Sequence, residues 1–396
     1  MHTSGKRMLM LACGSVAMLF LGLIYAWSNF VKPLEEEFGW SRSQTSFTFT
    51  VSIAFFVVGL ITSGWLSQKM SKRSVMLIAA ASMMAGFVLC SFASSLLALY
   101  FCYGVLVGFG VGVANNALVS TIVKWFPGRT GAASGVLMLG FGLGGMILGP
   151  TAVNLMAAWG WRTTFLWFGV VFAVIMALVS LTLKMPPAEA GSASAGGSSG
   201  TKELSGAEAM RTGSFWLFIA WFTLMMAGGL IVIGHASPYA QDLGLTVQNA
   251  AVAVGVFSLS NGIGRILTGV VFDKFGLRRS MLLTTLYLVI SAAALVASEM
   301  AASVPLMFVG FVFAGLSYGG GPTTSSTFAS SRFGMKHFAM NYALVSSGMI
   351  PGAILGPFLA GALRDSSGQY LTSFIAMLVF GAAGCCLWNF VVPSKK

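Results

Sequence analysis

The chain has 396 residues, 57% hydrophobic and only 8% charged, against about 25% charged residues in a soluble globular protein, which excludes a soluble domain. Its apolar runs are long and continuous rather than alternating, which excludes a transmembrane β-barrel. The formal net charge of +12 would suit a nucleic-acid partner, but the basic residues lie in short loops between apolar segments, where the positive-inside rule puts them, so no nucleic acid is expected.

A spanning helix needs about 20 apolar residues. On that rule the sequence predicts an all-α membrane protein with twelve transmembrane helices, near 9–31, 44–66, 74–94, 96–122, 130–157, 163–184, 214–240, 248–272, 280–298, 303–330, 337–363 and 371–392. The N-terminal MHTSGKRMLML lacks a small-residue cleavage site after a short apolar core, so it reads as a tail entering the first span rather than a removed signal peptide. The one long hydrophilic interruption is Met185–Arg211, whose Gly, Ser and Ala content marks a flexible linker. The expected division is residues 1–184 as a first six-helix half, 185–212 as a cytoplasmic linker and 213–396 as a second six-helix half. Most Lys and Arg fall on the side of the termini; the other side holds Lys32, Arg42, Arg162 and Arg364. This bias predicts cytoplasmic termini. The short loops favour a multi-pass protein of a bacterial inner (plasma) membrane.

Several motifs carry no chemistry. Cys13, Cys90, Cys102, Cys385 and Cys386 all lie in apolar spans, the last two adjacent, so they read as buried thiols rather than a disulfide framework. Gly140-x-Gly142-x-x-Gly145 has the glycines of a dinucleotide fingerprint but no preceding strand. It sits mid-span, where small residues serve close helix packing. The three histidines lack metal-ligand spacing, and no Walker motif or nucleophile elbow is present. No cofactor, no metal and no enzymatic activity are expected.

The halves repeat. Gly64-Trp-Leu-Ser-Gln68-Lys69-Met-Ser-Lys72-Arg73 follows the second span, and Gly269-Val-Val-Phe-Asp273-Lys274-Phe-Gly276-Leu-Arg278-Arg279 follows the eighth. Pro33 and Gly39 recur as Pro238 and Gly244, and Gly149-Pro150 as Gly356-Pro357. Parallel six-helix repeats joined by a central loop are a transporter architecture. Residues 269–279 match the loop signature Gly-x-x-x-Asp-basic-x-Gly-x-basic-basic, and the chain resembles the major facilitator superfamily over its whole length. In residues 64–73, Gln68 replaces the Asp and Ser71 the second Gly. Within that superfamily the chain is similar to the branch of monocarboxylate transporters and oxalate/formate antiporters. The residues carrying this are Tyr25-Ala-Trp27, the run from Lys32 to Arg42, Lys124-Trp-Phe-Pro-Gly-Arg129, and Asn261-x-x-x-Arg265. The resemblance implies alternating access by rocking of two halves, with the arginine of span eight binding the substrate carboxylate. There are two departures. Asn261 stands where eukaryotic monocarboxylate transporters place an Asp, and span eleven reads Ser346-Ser347-Gly348-Met349 with no lysine where the oxalate antiporter has one.

Arg265 is the only basic residue set deep in a span. It lies about seven residues, roughly 10 Å, from the nearer end of its helix, and a central arginine costs about 2.5–3.5 kcal/mol on insertion scales. Its repeat-related position is Leu60, so the architecture does not require the charge. A substrate carboxylate would offset the cost; snorkelling to the interface is the structural alternative. Asn261 shares a helix face with Arg265; it could donate to a substrate oxygen or hold the guanidinium, against the alternative of a helix-packing amide. Tyr25 and Tyr318 are candidate cavity walls or lipid-interface residues. Asn115 and Asn116 form a polar pair in mid-span, and at least one is expected to face the cavity. His235, Tyr239 and Asp242 share one face at the outer end of span seven and are the proton-coupling candidates, against ordinary structural roles. One cation without a deep acidic partner suits one carboxylate. The expected function is secondary transport of small monocarboxylates such as lactate or pyruvate by proton symport. Organic-anion exchange of the oxalate/formate type is the first alternative, and a non-transporting membrane sensor the second.

Overall fold

The structure is a computed structural model in which residues 2–185 and 203–391 are described. Among the described residues, ten helices are long and apolar enough to cross a membrane. Two of these, Thr130–Thr182 and Val247–Ala301, are helix pairs broken at Gly160 (φ 76°) and Gly276 (φ 80°). These left-handed angles are open to glycine, which lacks a Cβ. Each pair reverses there, so the ten helices make twelve crossings. Among the described residues no strand occurs.

Gly276 is the second glycine of the loop signature, and its repeat partner Ser71 solves the same turn differently. Around Ser71 the backbone stays extended (Met70 φ −130°), and the Ser71 hydroxyl caps the next helix by accepting from the Ser74 N–H at 3.1 Å. Both turns reverse the chain, one through a left-handed glycine and the other through an extended break with a capped restart.

Spans one and eleven are the irregular ones. Span one runs as an α-helix over His2–Leu21, tightens to 3-10 geometry over Gly22–Ala26, and resumes over Ser28–Phe38. Span eleven is α-helical over Phe338–Val345, 3-10 over Ser346–Gly348, α-helical over Met349–Ala353 and π-helical over Ile354–Phe358, which contains Pro357. Non-ideal backbone at membrane depth is tolerated where it is buried in protein or lines a cavity. Span seven, by contrast, remains helical through Pro238 across Gly213–Asp242.

The expectation of a wholly flexible linker is corrected at its far end. Ser205 and Glu208 form a reciprocal capping box for a short helix, Gly206–Met210. Ahead of it, the Glu203 carboxylate accepts from the backbone N–H groups of Met335 (3.2 Å) and Lys336 (2.8 Å). These follow Gly334, whose φ of 79° turns the chain so that successive N–H groups face one anion. Asn341 donates to the Leu204 carbonyl at 2.9 Å. Residues 203–211 thus form a strap over the turn between spans ten and eleven, while 186–202 lie outside the described residues. The five cysteines are free thiols.

Candidate functional site

Arg265 sits at a close crossing of spans five and eight. A Cβ placed on Gly135 would lie 2.5 Å from the Arg265 carbonyl oxygen, so only glycine lets the two backbones approach this near. About two turns further along span eight, the Asp273 carboxylate accepts from the N–H groups of Gly131 (3.0 Å) and Ala132 (2.8 Å). The signature Asp therefore caps the start of span five from across the molecule.

The Arg265 side chain is 2% exposed. Its Nε donates to Asn261 Oδ1 at 3.1 Å, so the neighbour one turn earlier holds the guanidinium. The guanidinium carbon lies 5.5 Å from the centroid of the Phe141 ring, a cation–π placement. One terminal nitrogen, Nη2, is buried with no hydrogen-bond partner. Arg265 lines a cavity whose other polar residues are Tyr25, Asn115, Tyr342 and Ser346, with Phe56, Phe141, Phe222, Met138 and Met349 among the apolar walls. About 10 Å³ remains at its centre, of the order of one water molecule, so ligand entry requires the walls to part.

The polar groups around this cavity are tied across the two halves. Tyr25 and Tyr318 hydroxyls are 3.1 Å apart, Tyr318 being fully buried behind Tyr25. Tyr342 donates to Asn115 Oδ1 at 3.2 Å. Of the asparagine pair, Asn115 lines the cavity, whereas Asn116 turns away to the carbonyls of Leu60 and Ala339.

The candidates of span seven lie elsewhere. His235 Nε2 is 3.3 Å from the Pro357 carbonyl oxygen. Tyr239 donates to Ser298 Oγ at 2.9 Å, and Asp242 forms an ion pair with Arg364 at 2.6 Å. Tyr239, Asp242, Glu299, Arg364 and Gln369 line a polar hollow that shares no residue with the Arg265 cavity. Sequence reasoning missed Phe141 and Tyr342. Phe141 carried no signal beyond being aromatic. Tyr342 did: it precedes Ser346 by four residues and so shares its helix face.

A bundle of twelve crossings, built as two six-helix halves around Arg265, the one buried cation among the described residues, is the architecture of a secondary transporter. The profile described as Major Facilitator Superfamily matches residues 8–301 and 227–396, and the chain belongs to that superfamily. Within it the chain is related to monocarboxylate transporters and to the oxalate:formate antiporter. It is 27% identical over 369 residues to monocarboxylate transporter 11 of Homo sapiens, covering 90% of this chain and 76% of that protein. It is 26% identical over 286 residues to the oxalate:formate antiporter of Oxalobacter formigenes, covering 70% of this chain and 66% of the antiporter. The fold is similar to that of the proton:xylose symporter XylE (TM-score 0.78, 15% identity, 98% of this chain and 95% of that one). It is also similar to FucP in the outward conformation (TM-score 0.70, 15% identity, 98% and 100%). The protein is a multi-pass membrane transporter.

Proposed function

We propose that the protein carries small monocarboxylates across a plasma membrane by alternating access, with the substrate carboxylate paired to Arg265. The observation that carries this reading is the unpartnered Nη2 of Arg265, a residue 2% exposed that lines the central cavity. A buried, unsatisfied cationic donor is costly, and one carboxylate removes that cost with charge-assisted hydrogen bonds. The Phe, Met and Leu walls accept a short apolar tail, and the Tyr25, Tyr342 and Ser346 hydroxyls accept or donate to an oxygen beside the carboxylate.

With both termini in the cytoplasm, the Asp273 and Asn116 contacts lie on the cytoplasmic side and hold it shut. The conformation is then closed inward and narrowly closed around the site. Substrate arriving from outside neutralises Arg265, the halves rock, and the site opens inward. Residues 1–184 and 213–396 act as the two rocking bodies.

We infer proton symport as the coupling mode, on the relationship to monocarboxylate transporters. The second reading, anion exchange, is supported by Asn261: a neutral amide holds Arg265 where a carboxylate would have neutralised it. The empty site therefore keeps its charge, which favours return with a second anion aboard. Purified protein in liposomes separates the readings. Symport predicts uptake of labelled lactate or pyruvate driven by an inward proton gradient without internal anion; exchange predicts uptake only with internal anion. Absence of carboxylate uptake under both conditions, across a panel of two- to six-carbon acids, would overturn both.

A further inference from the structure

The asparagine pair of span four holds one turn of span eleven from two directions. Asn116 is fully buried. Its Nδ2 donates to the Leu60 carbonyl of span two at 2.6 Å and to the Ala339 carbonyl of span eleven at 2.8 Å. Two carbonyl acceptors require the amino end of the amide, so its orientation is fixed by its partners. Its other end, Oδ1, is buried without a partner. Three residues after Ala339, the Tyr342 hydroxyl donates to Asn115. The same turn carries Asn341, which ties it to the strap at Leu204. Close backbone approach of Gly64 to Ala339 and Met340 completes the contact between the halves.

The two asparagines are adjacent, yet they do different things. Asn115 and Tyr342 both line the cavity around Arg265; Asn116 does not reach it. We propose that Asn116 is a gating residue that pins the basic-side gate shut, and that the Tyr342–Asn115 hydrogen bond is the part of the same latch that a cavity occupant reaches. The inference deepens the alternating-access reading above and rests on it. A ligand oxygen at Arg265 competes for the Tyr342 hydroxyl, leaving Asn116 as the remaining hydrogen bond from span four to that turn. The orphaned Oδ1 makes the pin reversible. It is unsatisfied only while the gate is shut, and it gains water when spans four and eleven separate, so the closed and open forms stay close in free energy.

The test is a pair of distance measurements by double electron–electron resonance on the full chain in lipid nanodiscs, with the five native cysteines replaced. One spin-label pair sits at Lys69 and Lys336 on the basic side. The other sits at Phe92 and Met300 on the opposite side, both highly exposed. Asn116→Ala and the similarly sized Asn116→Leu are expected to raise the long-distance population of the first pair at least threefold and to shorten the second. Tyr342→Phe, which deletes one oxygen, is expected to give the same shift in smaller degree and keeps the test open if both Asn116 variants misfold. Parent-like distributions in the folded variants would overturn the proposal, as would lengthening at both faces, which marks general loosening. The readout needs no substrate, so it stands apart from failure of the carboxylate assignment.

Discussion

The hydroxyl of Tyr25 lies 3.1 Å from that of Tyr318, joining the 3-10 segment of span one to span ten. Tyr25 lines the cavity and Tyr318 stands behind it, fully buried. The bond ties the first half to the second beside the cavity, and on the alternating-access reading it helps hold the cavity closed around a ligand. A neutral buried hydrogen bond contributes about 1 kcal/mol. Tyr318→Phe is therefore expected to weaken retention of the ligand about fivefold, raising KM for uptake while leaving the amount of folded protein unchanged. An unchanged KM would remove this bond from the closing of the site.

Arg265→Ala is expected to abolish measurable uptake and to lower ligand affinity by about ten- to a hundredfold, since hydrogen bonds to charged groups contribute about 1.5–3 kcal/mol. Arg265→Lys keeps the charge but not the fork and should recover only part of the loss. Asn261→Asp is the more informative change. It supplies the guanidinium with a carboxylate, so anion affinity falls and becomes dependent on pH, recovering as the new acid protonates. Ligand-induced thermal shifts across pH measure this. An Asn261→Asp protein with parental, pH-independent affinity would show that the amide does not govern the charge of the site.

Gly135 meets the Arg265 carbonyl too closely for any side chain. Gly135→Ala must push spans five and eight apart, at about 1–3 kcal/mol for an overpacked contact. A lower melting temperature is expected together with reduced affinity, because the displaced backbone carries Arg265. The control is Gly5→Ala, whose added methyl group meets nothing.

A small acid sensitivity is expected at the edge of the first half opposite the chain termini. The Glu37 carboxylate accepts from Trp161 Nε1 and Arg162 Nη1, both at 2.6 Å. The Trp161 hydrogen bond first, and the Arg162 hydrogen bond second, hold its carboxyl below the ordinary value. A carboxyl whose folded value is depressed contributes stability above its unfolded value, and that contribution is lost as pH falls through the lower folded one. Melting temperature should therefore drop on acidification below about 4.5, and Glu37→Gln should flatten that drop. The effect is modest, because the Arg162 and Glu37 side chains are 44% and 39% exposed and solvent screens the pair.

The twelve crossings were legible because lipid demands long apolar segments, and the repeats because duplicated turns kept their glycines and charges. Arg265 stood out for the same reason: charge in hydrocarbon is expensive, so it is rare enough to notice. Contacts between distant residues left weaker traces. Nothing local in Gly135 says that it meets the carbonyl of Arg265, or that Phe141 stacks on the guanidinium. Adjacent asparagines gave no clue to their division of labour, since neighbours on a helix point about 100° apart and only packing decides which faces the cavity. The strap was hidden by composition. Its polar residues read as flexible until Glu203 met the backbone of Met335 and Lys336.

The pairing of Arg265 with an amide has an electrical consequence. Moving one elementary charge through the membrane field changes energy by about 2.3 kcal/mol per 100 mV. If the protein exchanges anions, a carrier holding one carboxylate against Arg265 is neutral at that depth and its reorientation is blind to voltage. If it takes up a proton with each anion, the loaded carrier keeps the same net charge as the empty one. Membrane potential should therefore leave the loaded crossing untouched in exchange, and act on loaded and empty crossings alike in symport.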